Sequence, residues 1–549
     1  MKSTKRKYIY TFLTVVVLGL LSLAASKSKL YQQIAQSQRL INDVYKNIIM
    51  NYADEIDVED FTRYGIQNLL SDLDPYTVYM EAEDREGIEL LTNGKYGGVG
   101  MQLGQRDGHL TVIAPMDDSP AQKAGIISGD IIIEIDGEST DDMNINEAAK
   151  KIRGEKGTKV TLTIRRFSSD TPLTFELTRS NIKIKDVTYA DMIDDKTGYI
   201  RLTRFSRNSP DEMRDAFRSL LKNDPQSIII DLRDNPGGLL RAAIDILDLM
   251  VPKGKLLLTT KGRMKDSNKT IMAKRKPIVP ADVKIAILVN EGSASASEIV
   301  AGTLQDLDRA IIVGNQSFGK GLVQSVFPLD NSHSLKITTA KYFTPSGRLI
   351  QKPDYLNDEV INVDSSQIDS VFHTVGGRPV RGGGGIVPDY EAKNPLLGPL
   401  TQECYRKSLF FTFVQSHRKQ YTTFSEVEQD DQLMSAFQSW LNEMDLDINI
   451  KGEKQFDEMV TAFSKRDSSD SDLQKGLLSL KAFITKEEGQ LFNEEYDQLR
   501  LALLSEFAQQ MENTTKRMAI RIPEDKVVME AVRLLQEPDS YRNLLTISN

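Results

Sequence analysis

The chain has very little of several residue types on which other chemistries depend. Its single cysteine, Cys404, excludes an intramolecular disulfide and any zinc site built from paired cysteines. With a formal net charge of −9, it lacks the basic excess that general nucleic-acid binding requires. Histidine is also scarce, and none of the four lies in a motif typical of a catalytic triad: His109, His333, His373 and His417. We therefore expect any chemistry of this chain to depend on other side chains.

A long apolar run stands at the N-terminus. Residues 8–26 carry no charge and follow a basic stretch between Lys2 and Lys7, a pattern typical of an export signal. The sequence Ala24-Ala25-Ser26 offers small residues to a signal peptidase, whereas the length of the run is also close to a bilayer span. A cleaved signal and an uncleaved anchor both stay open. In either case residues 1–26 are the targeting segment, and we expect the rest to be periplasmic or anchored to the inner membrane facing the periplasm.

A serine-rich turn points to nucleophilic catalysis. The turn, GSASASE, covers Gly292–Glu298 between a strand-like run, Lys284–Asn290, and a helix-like run, Glu298–Leu307. A serine at such a corner lies where helix-start amides and the helix dipole stabilise a developing oxyanion. The serine still needs a base.

Lysine is the candidate base because no histidine has a suitable context. Lys320 lies within the sequence SFGKG, with apolar residues on both sides. Free lysine has a pKa of about 10.4, so very little of it is neutral at pH 7. We expect the apolar surroundings to lower the pKa of Lys320 and so to populate the neutral amine. The sequence thus favours a Ser/Lys pair over a Ser-His-Asp triad.

Each motif taken alone has a simpler interpretation. SASAS can be an ordinary helix cap, and DLRDNPGG, Asp231–Gly238, can be a strand that ends in a turn. Gly314–Lys320 fits GxxxxGK, the start of a phosphate-binding loop. That interpretation fails because Gly321 replaces the serine or threonine that binds magnesium. It also fails because Leu322–Phe327 predicts a strand where the loop needs a helix.

Taken together, the motifs resemble the carboxy-terminal processing peptidases, also called tail-specific proteases. The similarity covers roughly residues 96–389 and rests on DLRDNPGG, NEGSASASEIVAGTLQD, SFGKGLVQ and GGIVPD. The resemblance implies that Ser295 is the nucleophile, that Lys320 is its base and that Gln324 orients the lysine. It implies no metal or organic cofactor.

The resemblance also implies an oxyanion hole. One amide would come from Ala296, which follows the nucleophile. The other would come from a glycine of the NPGG turn, and Gly237 and Gly238 both remain candidates.

Residues 95–180 resemble a PDZ domain. The signature is YGGVGMQLG, Tyr96–Gly104, followed by SPAQKAGIISGDIIIEIDG, Ser119–Gly137. Glycines at the start would let successive amides bind a peptide carboxylate, and the next strand would pair with an extended peptide. The alternative is that GGVG is only a tight turn. The expected peptide-binding residues are Gly97, Gly98, Val99, Gly100, Met101, Gln102 and Leu103.

The predicted fold class is α/β and multidomain. Alternating strands and helices predict an α/β peptidase core in residues 181–394, and the resemblance implies the crotonase and ClpP architecture. Residues 27–94 have apolar residues at helical spacing, and residues 395–549 predict a charged, helical C-terminal domain. The polar stretch 351–385 is predicted to be a surface loop.

These observations predict an exported, ATP-independent serine endopeptidase that recognises protein C-termini through its PDZ domain. Its partners would be proteins or peptides with a free C-terminus, and nucleic acid is not expected. The resemblance implies that the N-terminal helices can dimerise, and a helical cap on the next domain is the alternative. For the C-terminal domain, packing, oligomerisation and the binding of an adaptor all stay open. Two rival functions are a catalytically silent PDZ scaffold and an acyl-CoA enzyme on a crotonase-like core. The export signal and the PDZ domain fit the acyl-CoA enzyme poorly.

Overall fold

The structure, a computed structural model, covers most of the chain outside its termini. It describes residues 29–81, 94–106, 108–116, 118–166, 171–352, 370–444, 453–464 and 471–546, with a few single positions between them. The predicted targeting segment 1–26 and residues 353–369 of the predicted loop lie outside this set. Across the described ranges, no helix combines the length and apolar character needed to cross a bilayer. The described residues fall into two compact units, which divide between Tyr79 and Met80.

The first unit contains two helices where the sequence predicts them. Helix α1 covers residues 29–51 and α2 covers Val58–Ser71. The carboxylate of Asp57 accepts a hydrogen bond from the amide of Asp60 and caps α2. A short strand, β1 (Val78–Met80), follows inside the region that the sequence predicts to be helical.

Residues 95–183 form a small β domain with two short helices. Its helices are α3 (Pro120–Lys123) and α4 (Ile145–Ile152). Its strands are β2 (Lys95–Gly98), β3 (Met101–Arg106), β4 (His109–Pro115), β5 (Ile131–Ile135), β6 (Glu138–Ser139), β7 (Lys159–Arg165), β8 (Leu173–Thr178) and β9 (Ser180–Lys183). Every second residue of β7 points into the domain core. Strand β3 is at the edge of the sheet, and α4 lies beside it. A strand edge next to a helix is the arrangement to which PDZ domains add a peptide strand.

A six-stranded sheet forms the centre of the second unit. Its order is β10-β11-β12-β15-β16-β21, and all neighbours are parallel except β10 and β11. The strands are β10 (Val187–Met192), β11 (Thr197–Leu202), β12 (Ser227–Asp231), β15 (Lys284–Val289), β16 (Ile311–Gly314) and β21 (Tyr390–Glu391). This parallel sheet with helical connections confirms the predicted α/β class.

Helices cover both faces of this sheet. Because side chains alternate along a strand, Ile228 and Ile230 point to one face and Ile229 to the other. The first face packs against α5 (Ser209–Leu220), α6 (Leu240–Leu247) and α7 (Ala296–Asp306). The second face packs against a helix from near the end of the chain, α16 (Lys526–Gln536). The C-terminal region therefore supplies one layer of the core.

A second sheet lies next to the predicted catalytic lysine. Strand β18 pairs with both β13 and β17, and β13 also pairs with β14. The strands are β13 (Leu256–Lys261), β14 (Lys269–Met272), β17 (Leu322–Pro328) and β18 (Ser334–Phe343), and β19 (Val371–His373) and β20 (Pro379–Arg381) form a separate hairpin. Since β17 begins two residues after Lys320, its pairing with β18 fixes the direction in which the chain leaves the lysine.

Most of the remaining C-terminal helices share a core of their own, rich in phenylalanine and leucine. The helices that contribute to it are α8 (Pro399–Arg406), α9 (Leu409–His417), α10 (Phe424–Glu428), α11 (Leu433–Leu441), α13 (Ser471–Glu494), α14 (Tyr496–Met511) and α15 (Thr514–Arg521), and α12 (Glu453–Ser464) lies between α11 and α13 in the sequence. Helix α17 (Pro538–Leu545) instead packs with α16 against the second face of the peptidase sheet. Buried Glu495 lies between α13 and α14, and its carboxylate accepts hydrogen bonds from the amides of Leu400 and Thr401. It thus caps α8, whose first amides have no partner within the helix.

Candidate active site

Ser295 lies at the corner between β15 and α7. It is the N-cap of α7, with φ of 54° and ψ of −109°, a conformation that non-glycine residues rarely adopt. Strained backbone of this kind is often found at functional sites. Ala296 is the first helical residue, so its amide has no acceptor within the helix. The predicted nucleophile and one predicted oxyanion donor therefore lie side by side at a helix N-terminus.

The glycine turn after β12 contacts this corner directly. A methyl group placed on Gly237 would lie 2.9 Å from both Cβ of Ser295 and the amide nitrogen of Ala296, so only glycine fits there. Asn235 joins the two turns: its carbonyl oxygen accepts from the amide of Ala294 at 3.0 Å and from the hydroxyl of Ser297 at 2.9 Å. The structure thus brings the NPGG and SASAS motifs together.

The two candidate glycines differ in what their amides do. The Gly237 amide donates to Oδ1 of Asn235 at 2.9 Å. For the amides of Gly238 and Ala296, the part of the chain that the structure describes supplies no hydrogen-bond acceptor. Gly238 has φ of 145° and packs so closely on Phe205 that a side chain would collide with the Phe205 carbonyl oxygen. This geometry favours Gly238 over Gly237 as an oxyanion donor.

One buried carboxylate holds the serine turn and the lysine turn together. Glu298, on the first turn of α7, has no exposed surface. Its Oε2 accepts from the amides of Ser295 and Lys320, each at 2.8 Å. Its Oε1 accepts from the hydroxyl of Ser317 at 2.6 Å and from the amide of Gly319 at 2.7 Å. Burial raises the pKa of Glu298, and these four donors oppose that shift.

A tyrosine makes a second link between the same two turns. The hydroxyl of Tyr342, on β18, lies 2.5 Å from the carbonyl oxygen of Lys320 and 3.2 Å from that of Ser295, so its single proton is shared between the two acceptors. Its side chain is buried. The residues 295 and 320, far apart in sequence, are therefore held by both their amides and their carbonyls.

Gln324 lies on β17, at a bulge in its pairing with β18. Its Nε2 donates to Oγ1 of Thr338 at 3.1 Å. The other end of the amide, Oε1, can only accept a hydrogen bond. An amide held in this way presents an acceptor, which is what a lysine amine needs from an orienting neighbour.

The four histidines are placed elsewhere in the fold. His109 lies on β4, His333 in the turn between β17 and β18, His373 on β19 and His417 at the end of α9. The polar contacts described above for Ser295 involve Glu298 and Tyr342. Within the described ranges, no group of three or more His, Cys, Asp or Glu side chains is arranged to hold a metal ion.

The predicted peptide-binding segment begins as paired strand. Gly97 and Gly98 pair with β9, where the sequence predicts a glycine loop. Val99 is fully buried, and Gly100, with φ of 75°, makes the turn into β3. Met101, Gln102 and Leu103 then lie on the edge strand β3. The end of the segment thus has the placement expected for β-augmentation, while its first two glycines serve the fold of the domain.

Sequence reasoning did not identify Glu298, Tyr342 or Asn235. Glu298 is an ordinary first-turn acidic residue in the sequence, and such residues are common because they favour the helix dipole. The only local signal was the capping-box pattern, serine followed three residues later by glutamate. Tyr342 and Asn235 carry no such signal, because their partners are distant in the sequence.

Comparison with known proteins agrees with this arrangement. Residues 196–361 match peptidase family S41, residues 111–166 match the PDZ domain, and residues 400–535 match a family described as the C-terminal helical domain of a probable PDZ-protease. A carboxy-terminal-processing protease of Bartonella bacilliformis is 38% identical over 325 residues, which are 58% of this chain and 73% of the relative. A carboxyl-terminal-processing protease of Synechocystis sp. is 34% identical over 383 residues, 66% of this chain and 88% of the relative.

Among solved structures, the photosystem II D1 C-terminal processing protease is 27% identical, with a TM-score of 0.34, over 57% of this chain and 90% of that one. The relatives in Bartonella and Synechocystis are matched over most of their own length, and the three family matches fall on the β domain, the α/β core and the C-terminal helices. The chain is therefore a serine peptidase of family S41 and belongs to the carboxy-terminal processing proteases.

Proposed function

We propose that this peptidase is exported, binds the C-terminus of its substrate through the PDZ domain and cleaves upstream with a Ser295/Lys320 dyad. The observation that carries the proposal is the double link between the two residues. Glu298 binds both of their amides, and Tyr342 binds both of their carbonyl oxygens. Such fixed backbone supports a nucleophile and base that act without a third charged partner.

In this mechanism the Ser295 hydroxyl attacks the scissile carbonyl while its proton passes to the neutral amine of Lys320. The carbonyl oxygen becomes an oxyanion and is bound by the amides of Gly238 and Ala296. When the tetrahedral intermediate collapses, the C–N bond breaks and the Lys320 ammonium gives its proton to the leaving amine. Water then attacks the acyl-enzyme while Lys320 accepts its proton, and the Lys320 ammonium returns that proton to the Ser295 oxygen as the ester bond breaks. Gln324, through Oε1, orients the lysine.

Substrate capture is assigned to the PDZ domain. A peptide C-terminus would add to the edge of β3, with its carboxylate near the turn at Gly100. Support comes from the edge position of β3 and from α4 beside it. Export rests on the basic and apolar residues of the 1–26 segment, which would place the peptidase in the periplasm or on the inner membrane.

The test is a kinetic comparison of alanine variants. Ser295→Ala and Lys320→Ala should each abolish cleavage of a quenched-fluorescent peptide with a free C-terminus. The double variant should be no slower than either single one, because the residues act as a unit. Lys336→Ala, on β18, is the matched control and should cleave normally. A Lys320→Ala protein that keeps a substantial part of the wild-type rate would refute the dyad.

A further inference from the structure

A polar contact connects the C-terminal helices to the loop that carries the oxyanion-hole glycine. Helix α16 packs on the second face of the peptidase sheet through Val527, Val528 and Ala531, which are all buried. Its N-cap, Asp525, accepts hydrogen bonds from the amides of Val527 and Val528. The N-terminus of this helix therefore lies at the edge of the sheet where β12 ends and the NPGG turn follows.

Asp525 also binds an arginine of that turn. Nη1 of Arg233 lies 3.1 Å from Oδ1 of Asp525, and its Nη2 lies 2.9 Å from Oδ2. Paired contacts of this kind fix a guanidinium in direction as well as in distance. The Arg233 side chain is only 11% exposed and that of Asp525 is 21% exposed, so water screens the pair weakly.

The same guanidinium also binds a carboxylate at the end of β12. Its Nε donates to Oδ1 of Asp231 at 3.0 Å and its Nη2 to Oδ2 at 2.6 Å. Asp231 is fully buried and also accepts from the hydroxyl of Tyr199 and from Arg201. Arg233 thus bridges two carboxylates, that of Asp231 in the core and that of Asp525 in the C-terminal region.

Arg233 lies at the start of the loop that carries the proposed oxyanion-hole glycine. The carbonyl oxygen of Leu232, beside Arg233, accepts a hydrogen bond from the hydroxyl of Ser293 in the serine turn. Asn235, two residues after Arg233, joins the same turn and precedes the glycine pair by two residues. A displacement of Arg233 would therefore reach both the serine turn and the oxyanion-hole glycine.

We propose that Asp525 is a positioning residue for peptide-bond hydrolysis, holding Arg233 and through it the oxyanion-hole loop. The inference rests on the proposed function, since it takes the Gly238 amide as an oxyanion donor. On this proposal the C-terminal helices contribute to catalysis itself, and not only to substrate capture or oligomerisation. A residue of this kind acts on the transition state, so its loss should lower kcat rather than raise KM.

Two conservative variants separate the charge of Asp525 from its role as a helix cap. Asp525→Asn keeps a good N-cap but removes the charge that binds Arg233. Asp525→Glu keeps the charge on a side chain that is a poorer N-cap. Gln536→Ala is the control, because Gln536 makes a polar contact with Asp194 at the opposite end of α16. Ser295→Ala is the reference for loss of the nucleophile.

Kinetics are measured with the full chain and a quenched-fluorescent peptide that has a free C-terminus, below the lowest melting temperature of the set. Asp525→Asn should lower kcat about tenfold with KM unchanged, and Asp525→Glu should recover most of that loss. Gln536→Ala should keep the wild-type kcat.

The proposal is overturned if Asp525→Asn retains the kcat of Gln536→Ala, or if kcat follows the quality of the cap, so that Asp525→Glu is slower than Asp525→Asn. A Ser295→Ala protein that still cleaves would refute the proposed function and this inference with it. An inactive Ser295→Ala protein beside a fully active Asp525→Asn protein would refute this inference alone.

Discussion

The carboxylate of Glu298 accepts hydrogen bonds from both the serine turn and the lysine turn. A buried carboxylate without partners would cost several kcal/mol, and the four donors from the serine and lysine turns offset that cost. The same hydrogen bonds also stabilise the two turns, because the carboxylate supplies the buried amides of Ser295 and Lys320 with an acceptor. The backbone of the proposed nucleophile and base is thus fixed by hydrogen bonds to Glu298.

Replacing Glu298 tests this view. In Glu298→Gln, an amide NH2 group must face two of the present N–H or O–H donors. We expect a loss of about 2 kcal/mol or more in the free energy of unfolding, together with a large fall in kcat. Glu291→Gln changes an exposed glutamate of the same turn and should be neutral in both. The measurements are urea unfolding curves and peptide cleavage, and equal behaviour of the two variants would contradict the role of Glu298.

Single residues also mark how far the sequence alone could predict the site. The serine and lysine motifs, with their spacing, were enough to propose the nucleophile and the base. The choice between Gly237 and Gly238 was not predictable, because it depends on whether the Asn235 side chain turns back to one amide. Glu298 and Tyr342 were missed for the same reason: their partners come close only after the chain has folded.

At the scale of elements, the end of β12 carries a buried charge cluster with a defined pH response. Burial alone would raise the pKa of Asp231, but Arg233, Arg201 and the Tyr199 hydroxyl outweigh it and hold that pKa below its usual range. A carboxylate with a lowered pKa in the folded state stabilises the fold above its unfolded pKa of about 4. That contribution is lost as the pH falls through the lowered value.

Asp231→Asn should therefore destabilise the protein by about 3–5 kcal/mol at neutral pH, since it leaves two arginines without their buried partner. The difference from wild type should shrink as the pH is lowered below 4, because the carboxylate is protonated first in the unfolded protein and, below the lowered pKa, in the folded protein as well. Urea unfolding of both proteins at neutral and acidic pH gives the two differences. A pH-independent difference would show that the charge of Asp231 does not matter.

The PDZ element is best tested by changing the peptide. A side chain on Gly98 would collide with the Tyr96 ring and one on Gly100 with Ser119, so substitutions there would disturb the fold itself. The inactive Ser295→Ala protein can instead be titrated with matched peptides ending in a carboxylate or an amide. Amidation removes charge-assisted hydrogen bonds of about 1.5–3 kcal/mol each, so binding should weaken about tenfold or more. Equal affinities would mean that β3 does not recognise the C-terminus.

At the scale of the whole molecule, the C-terminal helices complete the peptidase fold. The sequence predicted their helical nature correctly, because their apolar spacing is regular. It did not predict that α16 covers the second face of the peptidase sheet. Several C-terminal helices bury apolar side chains, and nothing local in the sequence indicates which of them meets Ile229 and Leu288.

A charge placed on the inner face of α16 tests this coupling. Val528 is fully buried against the sheet, whereas its neighbour Met529 is 44% exposed. Val528→Asp should destabilise the fold by about 3–5 kcal/mol, the cost of an unpaired buried charge, and cleavage should be lost in parallel. Met529→Asp should leave both unchanged. The measurements are thermal melting followed by the helical circular-dichroism signal, and peptide cleavage at the same temperatures. If the Val528→Asp protein lost helical signal but still cleaved the peptide, the peptidase core would be independent of α16.

The central claim is that the neutral amine of residue 320 is the base for Ser295, and chemical replacement of that amine tests it most directly. In Lys320→Cys, alkylation with 2-bromoethylamine rebuilds a lysine-like side chain whose amine is less basic. The native Cys404 is fully buried, and burial, with Glu495 and Glu403 nearby, raises the pKa of Cys404 to about 12, so it should resist alkylation.

The measurement is the pH dependence of kcat/KM before and after alkylation. The account predicts that Lys320→Cys is inactive, that alkylation restores cleavage, and that the rising limb of the pH profile lies at lower pH than in the wild type. An alkylated protein that stays inactive, or one whose limb coincides with that of the wild type, would contradict it.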